Sequence, residues 1–278
     1  MSQQVVLITG CSTGIGRDLA QRLTQAGYAV AATARNSETL RDLPSALKLP
    51  LDVTQPDSVE RAVAETIQKF GRIDVLVNNA GYAVRGAVEE VSADLIQKMF
   101  EVNVFGALRM IREVVPFLRQ QGSGRIVNIS SIAGKLSMPV NGSYSASKFA
   151  LEALSDALRV ELSSFGIQVI LIEPGAIKTN FDETSLTYAR SILSNQNSPY
   201  QPLYRKSDEF AASMRRQENG PEIVSRVIQQ AIESPNPKAR YVAGIDFSGR
   251  LTLRLRDWIW DTALDKIFKV HAAERRMP

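Results

Sequence analysis

The feature that most constrains the fold is an alternation of short apolar runs with longer segments of helical periodicity, which covers the first two-thirds of the chain. This alternation is typical of parallel strands that are joined by crossover helices. The apolar runs are nearly continuous, as expected for strands that helices cover on both faces. The sequence therefore predicts an α/β fold in a single domain: a Rossmann-type, doubly wound parallel sheet of about seven strands with helices on both faces.

The boundaries of these elements follow from the apolar runs and from the helical periodicity between them. The predicted strands are 5–8, 29–33, 47–51, 75–77, 125–129, 167–172 and 239–243. The predicted helices are 15–25, 56–70, 93–120 and 144–165.

Two regions do not follow the alternation. Residues 180–220 are polar and contain several prolines, and a segment of this length between sheet elements is typical of a lid over a substrate. Residues 249–278 carry apolar side chains at helical spacing, together with basic side chains and tryptophan. We expect a catalytic domain at 1–248, with the lid inside it, and an amphipathic C-terminal extension at 249–278. The extension could pack on the core, cover the substrate cleft or make peripheral contact with a membrane.

Charge and composition exclude several classes of function. The chain has 33 Lys plus Arg against 29 Asp plus Glu, and most of the net charge of +4 lies from Arg240 onward, so no nucleic-acid-binding patch is expected. Its single cysteine cannot form an internal disulfide, which agrees with a reducing, cytoplasmic location. We expect no membrane span, no signal peptide and no metal site, because the patterns that each requires are absent from the sequence.

A glycine-rich turn follows the first predicted strand. Gly10, Gly14 and Gly16 permit a tight turn and a close approach of the backbone to a pyrophosphate, and the helix that follows offers free N–H groups at its start. The spacing differs from G-x-G-x-x-G, and the absence of G-K-[ST] excludes a P-loop. The turn indicates a dinucleotide site, and a glycine-rich turn without a ligand is the alternative.

The end of the second predicted strand indicates which dinucleotide would bind. An NAD site has an acidic residue there for the ribose 2′-hydroxyl, whereas this chain has Thr33-Ala34-Arg35-Asn36. A guanidinium can bind a 2′-phosphate through two hydrogen bonds, and a carboxylate would repel it. Arg35 therefore favours NADP(H) as the cofactor.

Tyr144 and Lys148 are four residues apart and share one face of a predicted helix. This spacing alone is a weak signal, because both residues are common on solvated helices. Ser131, Asn103 and the run 78–81 add weight, since each lies near the end of a predicted strand or on a helix that faces one. Ligands of parallel sheets bind at the carboxyl ends of the strands.

Together these motifs resemble the short-chain dehydrogenase/reductase family, in its single-domain branch. Six segments match in the expected order: Thr9 to Gly16, Asp52-Val53, Asn78 to Gly81, Asn103, Ser131 with Tyr144-x-x-x-Lys148, and Pro174-Gly175-x-x-x-Thr179. The resemblance implies an oxidoreductase in which Tyr144 is the general acid/base and Ser131 is the catalytic serine, with Ser130 as the less favoured choice. It also implies that Lys148 binds the nicotinamide ribose and that Asn103 holds a water in a proton relay.

The same resemblance assigns the cofactor contacts. The phosphates and ribose would contact the glycine-rich turn. Asp52 and Val53 would flank the adenine, and Asn79 would contact the adenosine ribose. The nicotinamide would contact the loop after the sixth strand, with the Ile177 backbone near its carboxamide. The residues implied in cofactor binding are Gly10, Ser12, Thr13, Gly14, Ile15, Gly16, Arg35, Asp52, Val53, Asn79, Tyr144, Lys148, Pro174, Ile177 and Thr179.

The residue types suit interconversion of a carbonyl and an alcohol. An alkoxide that forms after hydride transfer needs a proton, which a phenol can give, and an adjacent ammonium favours the phenolate of a tyrosine whose ordinary pKa is about 10. A looser similarity to the steroid- and retinol-dehydrogenase-like group implies a hydrophobic substrate. The alternatives are a 3-ketoacyl-type reductase and, in another class, a non-catalytic NADP-sensing binding protein. Family resemblance also implies a homodimer or homotetramer formed through the helices 93–120 and 144–165.

Overall fold

A computed structural model describes residues 3–179, 181, 189–215, 219–246, 249, 251 and 253. Within these residues the core is one parallel sheet with the strand order β3-β2-β1-β4-β5-β6-β7. The strands are β1 (Val5–Ile8), β2 (Ala29–Ala34), β3 (Leu47–Pro50), β4 (Val75–Asn78), β5 (Gly124–Ile129), β6 (Ile167–Pro174) and β7 (Arg240–Ala243). The predicted doubly wound sheet is confirmed, and each predicted strand is present.

Helices connect the strands and cover the two faces of the sheet. They are α1 (Gly14–Gln25), α2 (Pro56–Phe70), α3 (Ala93–Phe100), α4 (Ala107–Gln121), α5 (Gly142–Glu161), α6 (Gln201–Arg215) and α7 (Pro221–Glu233). Short 3-10 helices occur at Ser37–Leu40, Ile132–Gly134 and Ser163–Phe165. Local sequence sets several of these boundaries: α2 begins with a proline, whose missing N–H has no partner to lose in a first turn, and ends at Gly71 in the left-handed region.

The alternation of side chains along β1 shows how the sheet is covered. Val6 and Ile8 are fully buried in a cluster that includes side chains of α1 and α7. Leu7 points to the other face, into a cluster with side chains of α2 and α4. Strands with two apolar faces must be apolar at every position, which explains the continuous runs in the sequence.

The helix predicted for 93–120 is not continuous. A π-helical turn, Glu101–Gly106, separates α3 from α4. The side chain of Asn103 binds the backbone of Tyr82 in this turn, and a Cβ on Gly106 would lie 2.6 Å from Cγ2 of Val53. Single π turns inside helices are frequent at functional sites. The prediction failed here because both of these constraints come from distant parts of the chain.

Two further predictions need correction. The helix predicted for 144–165 begins at Gly142 and ends at Glu161, with a 3-10 turn after it. The polar region 180–220 contains the helix α6, and α7, which follows it, was not predicted. Residues 180, 182–188 and 216–218 of the predicted lid lie outside the described residues, as does nearly all of the extension 249–278. None of the helices in the described part of the chain has the length and apolar character that crossing a membrane requires.

Candidate active site

The predicted site residues converge on one edge of the sheet. The strand order reverses between β1 and β4, and the turn after β1 lies next to Asn79, which follows β4. Ser131 follows β5, and Pro174 ends β6. In a doubly wound sheet, this carboxyl edge at the point of reversal is where ligands bind.

The cofactor turn, residues 9–16, is built by close backbone packing. A Cβ on Gly16 would lie 2.4 Å from the carbonyl oxygen of Gly10 and 2.4 Å from Nδ2 of Asn79, so only glycine fits there. The Asn79 side chain donates to the carbonyl oxygens of Thr9 and Gly10, at 2.9 Å each. The family resemblance implies a ribose contact for Asn79. In the structure, its side-chain amide stabilises the turn through these two hydrogen bonds.

The start of α1 presents free N–H groups to this turn. Its N-cap, Thr13, makes no side-chain capping hydrogen bond, and the first turn holds no acidic residue. Thr13 is exposed, and Ser12, Gly14 and Ile15 are partly exposed. An uncapped helix start that is open to solvent can bind a phosphate through its N–H groups and its positive dipole end.

The adenine end of the predicted site holds one unpaired cation. Arg35 is exposed directly after β2 and has no ion pair or hydrogen bond to another described residue. Two neighbouring arginines are paired: Arg17 binds Asp42 at 2.5 Å, and Arg41 binds Glu38 at 2.6 Å. The guanidinium of Arg35 is therefore the one in this neighbourhood of the described chain that is available to an anion.

Asp52 and Val53 lie beside Arg35, on the loop after β3. The Asp52 carboxylate accepts from the N–H and the hydroxyl of Thr54, at 2.9 and 2.8 Å, so it is turned back on its own loop. Val53 is buried against Gly106. Their contact with the adenine stays a prediction.

Tyr144 and Lys148 occupy the first two turns of α5, and both are buried. The Lys148 Nζ lies 5.8 Å from the centroid of the Tyr144 ring and donates to the carbonyl oxygen of Ile129 at 2.9 Å. Burial lowers the pKa of Lys148 from 10.5 to about 8. The site therefore combines a phenol with an ammonium whose proton is lost close to neutral pH.

The two candidate serines have different surroundings. Ser131 caps the 3-10 helix that follows it: its hydroxyl accepts from the N–H of Ala133 at 3.1 Å and donates to the carbonyl oxygen of Pro174 at 3.4 Å. Ser131 is partly exposed, whereas Ser130 is buried and points inward toward Gly134. The geometry favours Ser131, as the sequence did, because only this hydroxyl lies at the open edge of the sheet.

Asn103 lies in the π-helical turn with its side chain fully engaged. Its Nδ2 donates to the carbonyl oxygen of Tyr82 at 2.8 Å and to the Ser147 hydroxyl at 3.0 Å, and its Oδ1 accepts from the N–H of Tyr82 at 3.0 Å. A Cβ on Gly81 would lie 3.1 Å from Oδ1 of Asn103 and 3.7 Å from Nζ of Lys148. Asn103 and Lys148 therefore flank one glycine, beside the segment that leaves β4.

The loop after β6 reaches back to the cofactor turn. Lys178 donates its N–H to the carbonyl oxygen of Asn219 at 2.9 Å, and Ile177 forms a bridge with the same residue. A Cβ on Gly14 would lie 3.2 Å from the Thr179 side chain. The loop predicted to contact the nicotinamide, from Pro174 to Thr179, thus extends from the end of β6 to the cofactor turn.

The side chains packed around the Tyr144 ring are apolar. Phe181 meets it edge-on, with 5.7 Å between ring centroids. The ring belongs to a cluster of buried apolar side chains, namely Ala83, Val84, Val91 and Met99, with Ala133 and Ile192 packed against them. A substrate that reaches Tyr144 from the side of this cluster would meet an apolar surface.

Helix α6 docks on the loop 82–92 through tyrosines. The Tyr204 hydroxyl accepts from the N–H of Ala87 at 3.1 Å and binds the Glu90 carboxylate, and the Tyr200 hydroxyl binds Glu89 at 2.5 Å. Tyr204 also packs with Val140, which is buried with φ at +69°. A branched residue in the left-handed region is rare and strained, so packing holds this backbone in place.

Sequence reasoning missed a group of charged side chains behind Lys148. This ion cluster consists of Lys135, Glu152, Asp156, Glu173 and Arg240, of which the two glutamates are buried. Burial and the nearby Glu152 carboxylate raise the pKa of Glu173 to about 6. Two sequence signals could have revealed the ion cluster: a glutamate four residues after Lys148, and a glutamate inside an otherwise apolar strand. Within the described residues, no group of His, Cys, Asp or Glu is arranged to hold a metal ion.

Comparisons with known proteins agree with this arrangement. The sequence model of the family described as short chain dehydrogenase matches residues 4–188. The chain is 34% identical to the 3-ketodihydrosphingosine reductase of Bacteroides thetaiotaomicron, over 99% of this chain and 100% of that protein. It is 36% identical to human 17-beta-hydroxysteroid dehydrogenase type 1, over 92% of this chain and 82% of the relative.

Solved structures share the fold. A short-chain dehydrogenase from Streptomyces avermitilis has a TM-score of 0.78 and 34% identity, covering 95% of this chain and 98% of that chain. A short chain dehydrogenase/reductase from Burkholderia phymatum, in complex with NAD, has a TM-score of 0.78 and 25% identity over 94% and 95%. The structure of ElxO with NADP bound has a TM-score of 0.70 and 26% identity over 86% and 96%. Both cofactors therefore occur among the structural neighbours.

Proposed function

Because this chain belongs to the short-chain dehydrogenase family, and is a dehydrogenase/reductase, we propose that it interconverts a carbonyl and an alcohol on an apolar substrate, with NADP(H) as the cofactor. One observation carries the proposal. Tyr144 is buried next to Lys148, at the sheet edge where the cofactor turn, Ser131 and the loop after β6 meet. A buried phenol beside an ammonium is suited to proton transfer.

In this proposal, each residue has one task in moving a proton. Tyr144 gives its phenolic proton to the substrate oxygen during reduction and takes it back during oxidation. Lys148 stabilises the phenolate with its ammonium, and the Ser131 hydroxyl donates to the developing oxyanion. A bound nicotinamide supplies or accepts the hydride. Since the Asn103 side chain is fully engaged, the water we assign to it would bind its backbone.

The preference for NADP(H) rests on Arg35. Its exposed guanidinium follows β2 and lacks a partner among the described residues, whereas Arg17 and Arg41 are paired. Asp52, on the loop after β3, accepts two hydrogen bonds from Thr54 through one oxygen of its carboxylate. These features support a 2′-phosphate at this position.

The apolar surface beside Tyr144 supports a hydrophobic substrate. The partly buried side chains of Phe181 and Ile192 pack against the cluster that contains Tyr144, and a strongly hydrated substrate would leave polar groups unpaired there. The names of the two relatives point to a long-chain ketone and to a steroid, and both compounds are largely apolar. We propose the same substrate class here, with 1–248 as the catalytic domain.

Substitution of Tyr144 with Phe tests the function. We expect NADPH-linked reduction of 3-ketodihydrosphingosine or of a 17-ketosteroid by the wild type, and a rate about 1000-fold lower in the variant, because the phenolic proton is lost. NADPH binding, measured by its fluorescence, should be retained. Tyr28→Phe, at the opposite edge of the sheet, is the matched control. A Tyr144→Phe enzyme that keeps a tenth of the wild-type rate would exclude Tyr144 as the proton donor.

A further inference from the structure

We propose that Glu152 is a positioning residue for the proton-transfer pair: its buried carboxylate fixes the electrostatic environment of Lys148 and the packing of the Ser131 segment on α5. Glu152 would act through Lys148 and Ser131, without contact to substrate or cofactor. The proposal rests on the function proposed above, in which Tyr144 and Lys148 transfer the proton.

The first argument is the packing around Gly134. Lys148 and Glu152 are one turn apart on α5, and their exposed fractions are 5% and 4%. A Cβ on Gly134 would lie 2.9 Å from the Ser130 hydroxyl, 3.1 Å from Cγ of Glu152 and 3.3 Å from the carbonyl carbon of Lys148. The 3-10 helix that Ser131 caps therefore sits directly on the turn of α5 between Lys148 and Glu152.

The second argument is the set of ion pairs that hold the carboxylate. Oε2 of Glu152 lies 3.1 Å from Nζ of Lys135 and 3.1 Å from Nε of Arg240. Arg240 also binds Asp156 at 2.5 Å and Glu173 at 3.3 Å. Lys135 ends the 3-10 helix, Glu173 precedes Pro174 on β6, and Arg240 begins β7. Glu152 thus connects the elements that carry Ser131, Lys148 and the nicotinamide loop.

The third argument is the effect of this charge on the pair. Lys148 is buried, which lowers its pKa, and the negative charge of Glu152 opposes that effect. The other charged groups near this turn of α5 are those of the ion cluster and Arg159, which lies 3.9 Å from Asp156. Removing a buried negative charge favours neutral lysine and favours tyrosinate, so the titrations of Lys148 and Tyr144 should both move to lower pH.

Glu152→Gln tests the proposal, because it removes the charge and keeps the shape. In the protein without cofactor, NMR of 13C-labelled lysine follows the Lys148 titration, with the signal assigned by its loss in Lys148→Arg. We expect the midpoint to fall by about half a pH unit or more, and the acidic limb of the pH–rate profile for alcohol oxidation to fall with it. The matched control is Asp156→Asn, which also loses a bond to Arg240 but lies one turn farther from Lys148. A smaller shift in the control supports the proposal, and equal shifts, or none in Glu152→Gln, overturn it.

Lys135→Met provides a second test that does not depend on the stability of Glu152→Gln. It removes a positive charge from the same ion pair, so the Lys148 midpoint should rise instead of fall. A merely structural role predicts no such change of sign, and a midpoint that falls or stays constant would overturn the proposal. The NMR readout needs no turnover, whereas Tyr144→Phe is read by turnover. Failure of this inference is therefore distinguishable from failure of the proposed function.

Discussion

The cofactor turn and the catalytic helix α5 meet at the same edge of the sheet, but they are built from different groups. The cofactor turn offers backbone N–H groups and relies on glycines, of which Gly16 has no room for a side chain. Helix α5 instead buries side chains that titrate, Tyr144 and Lys148, next to the ion cluster. The difference suits the two tasks that we propose for them: backbone N–H groups bind a phosphate at any physiological pH, whereas proton transfer requires groups that change charge.

We therefore expect a substitution in the catalytic half, helix α5, to change activity and stability in opposite directions, and by more than a substitution in the cofactor turn. Replacing Lys148 with Met should lower turnover about 1000-fold, because the phenolate loses its ammonium partner. The same change should stabilise the fold at pH 7 by about 1–3 kcal/mol, because it removes a buried charge. Turnover and urea unfolding of the purified protein measure the two effects.

The pH dependence of this stability gain has a definite sign. Since the pKa of Lys148 falls from 10.5 to about 8 on folding, the unfolded chain binds more protons between these values. The wild type should therefore gain stability as the pH rises through that window, and the advantage of Lys148→Met should shrink. Lys69→Met, at an exposed position on α2, is the control. A constant difference between pH 7 and pH 10 would contradict the assignment.

The cofactor turn should be sensitive to the size of the side chain at its glycines. Gly16→Ala places a methyl group 2.4 Å from the carbonyl oxygen of Gly10, so the turn must shift and NADPH affinity should fall about 10- to 100-fold. Fluorescence titration measures the affinity. Gly71→Ala is the contrasting variant: its φ is +75° and no atom lies within 4 Å, so it should cost stability and leave affinity unchanged. If both variants bind NADPH like the wild type, the turn is not the phosphate site.

The smallest expected effect concerns the choice of cofactor. Arg35→Ala should lower kcat/KM for NADPH about 10-fold and leave that for NADH unchanged, because only the 2′-phosphate loses a charged donor. Arg41→Ala is the control, since this nearby arginine is exposed and pairs with Glu38. A parallel loss with both cofactors would show that Arg35 supports the loop and does not select the phosphate.

The strands and the cofactor turn could be predicted from the sequence because their causes are local. A strand such as β1 is apolar at every position when both faces are covered, and Gly10, Gly14 and Gly16 mark their turn directly. The helix α6 was missed because the prolines of the region 180–220 resemble helix breakers, although Pro202 stands in the first turn of α6, where a proline is tolerated.

The remaining features depend on contacts between distant residues. The π-helical turn at Asn103 requires hydrogen bonds to Tyr82, 21 residues earlier, and no local pattern announces it. Glu152 meets Arg240 across 88 residues, so the sequence shows two charges but not their pairing. The catalytic residues themselves were proposed from the order of their motifs, which is information about the family more than about local physics.

The strained backbone of Val140 lies between helix α6 and the loop that leads into α5. Its left-handed conformation costs on the order of 1–3 kcal/mol and is held by packing with Tyr204 of α6 and with Ala87. Val140 stands two residues before α5 begins, so its contact with Tyr204 joins α6 to the loop that leads into Tyr144. The free energy that docks α6 therefore also helps to offset the strain at the entry to α5.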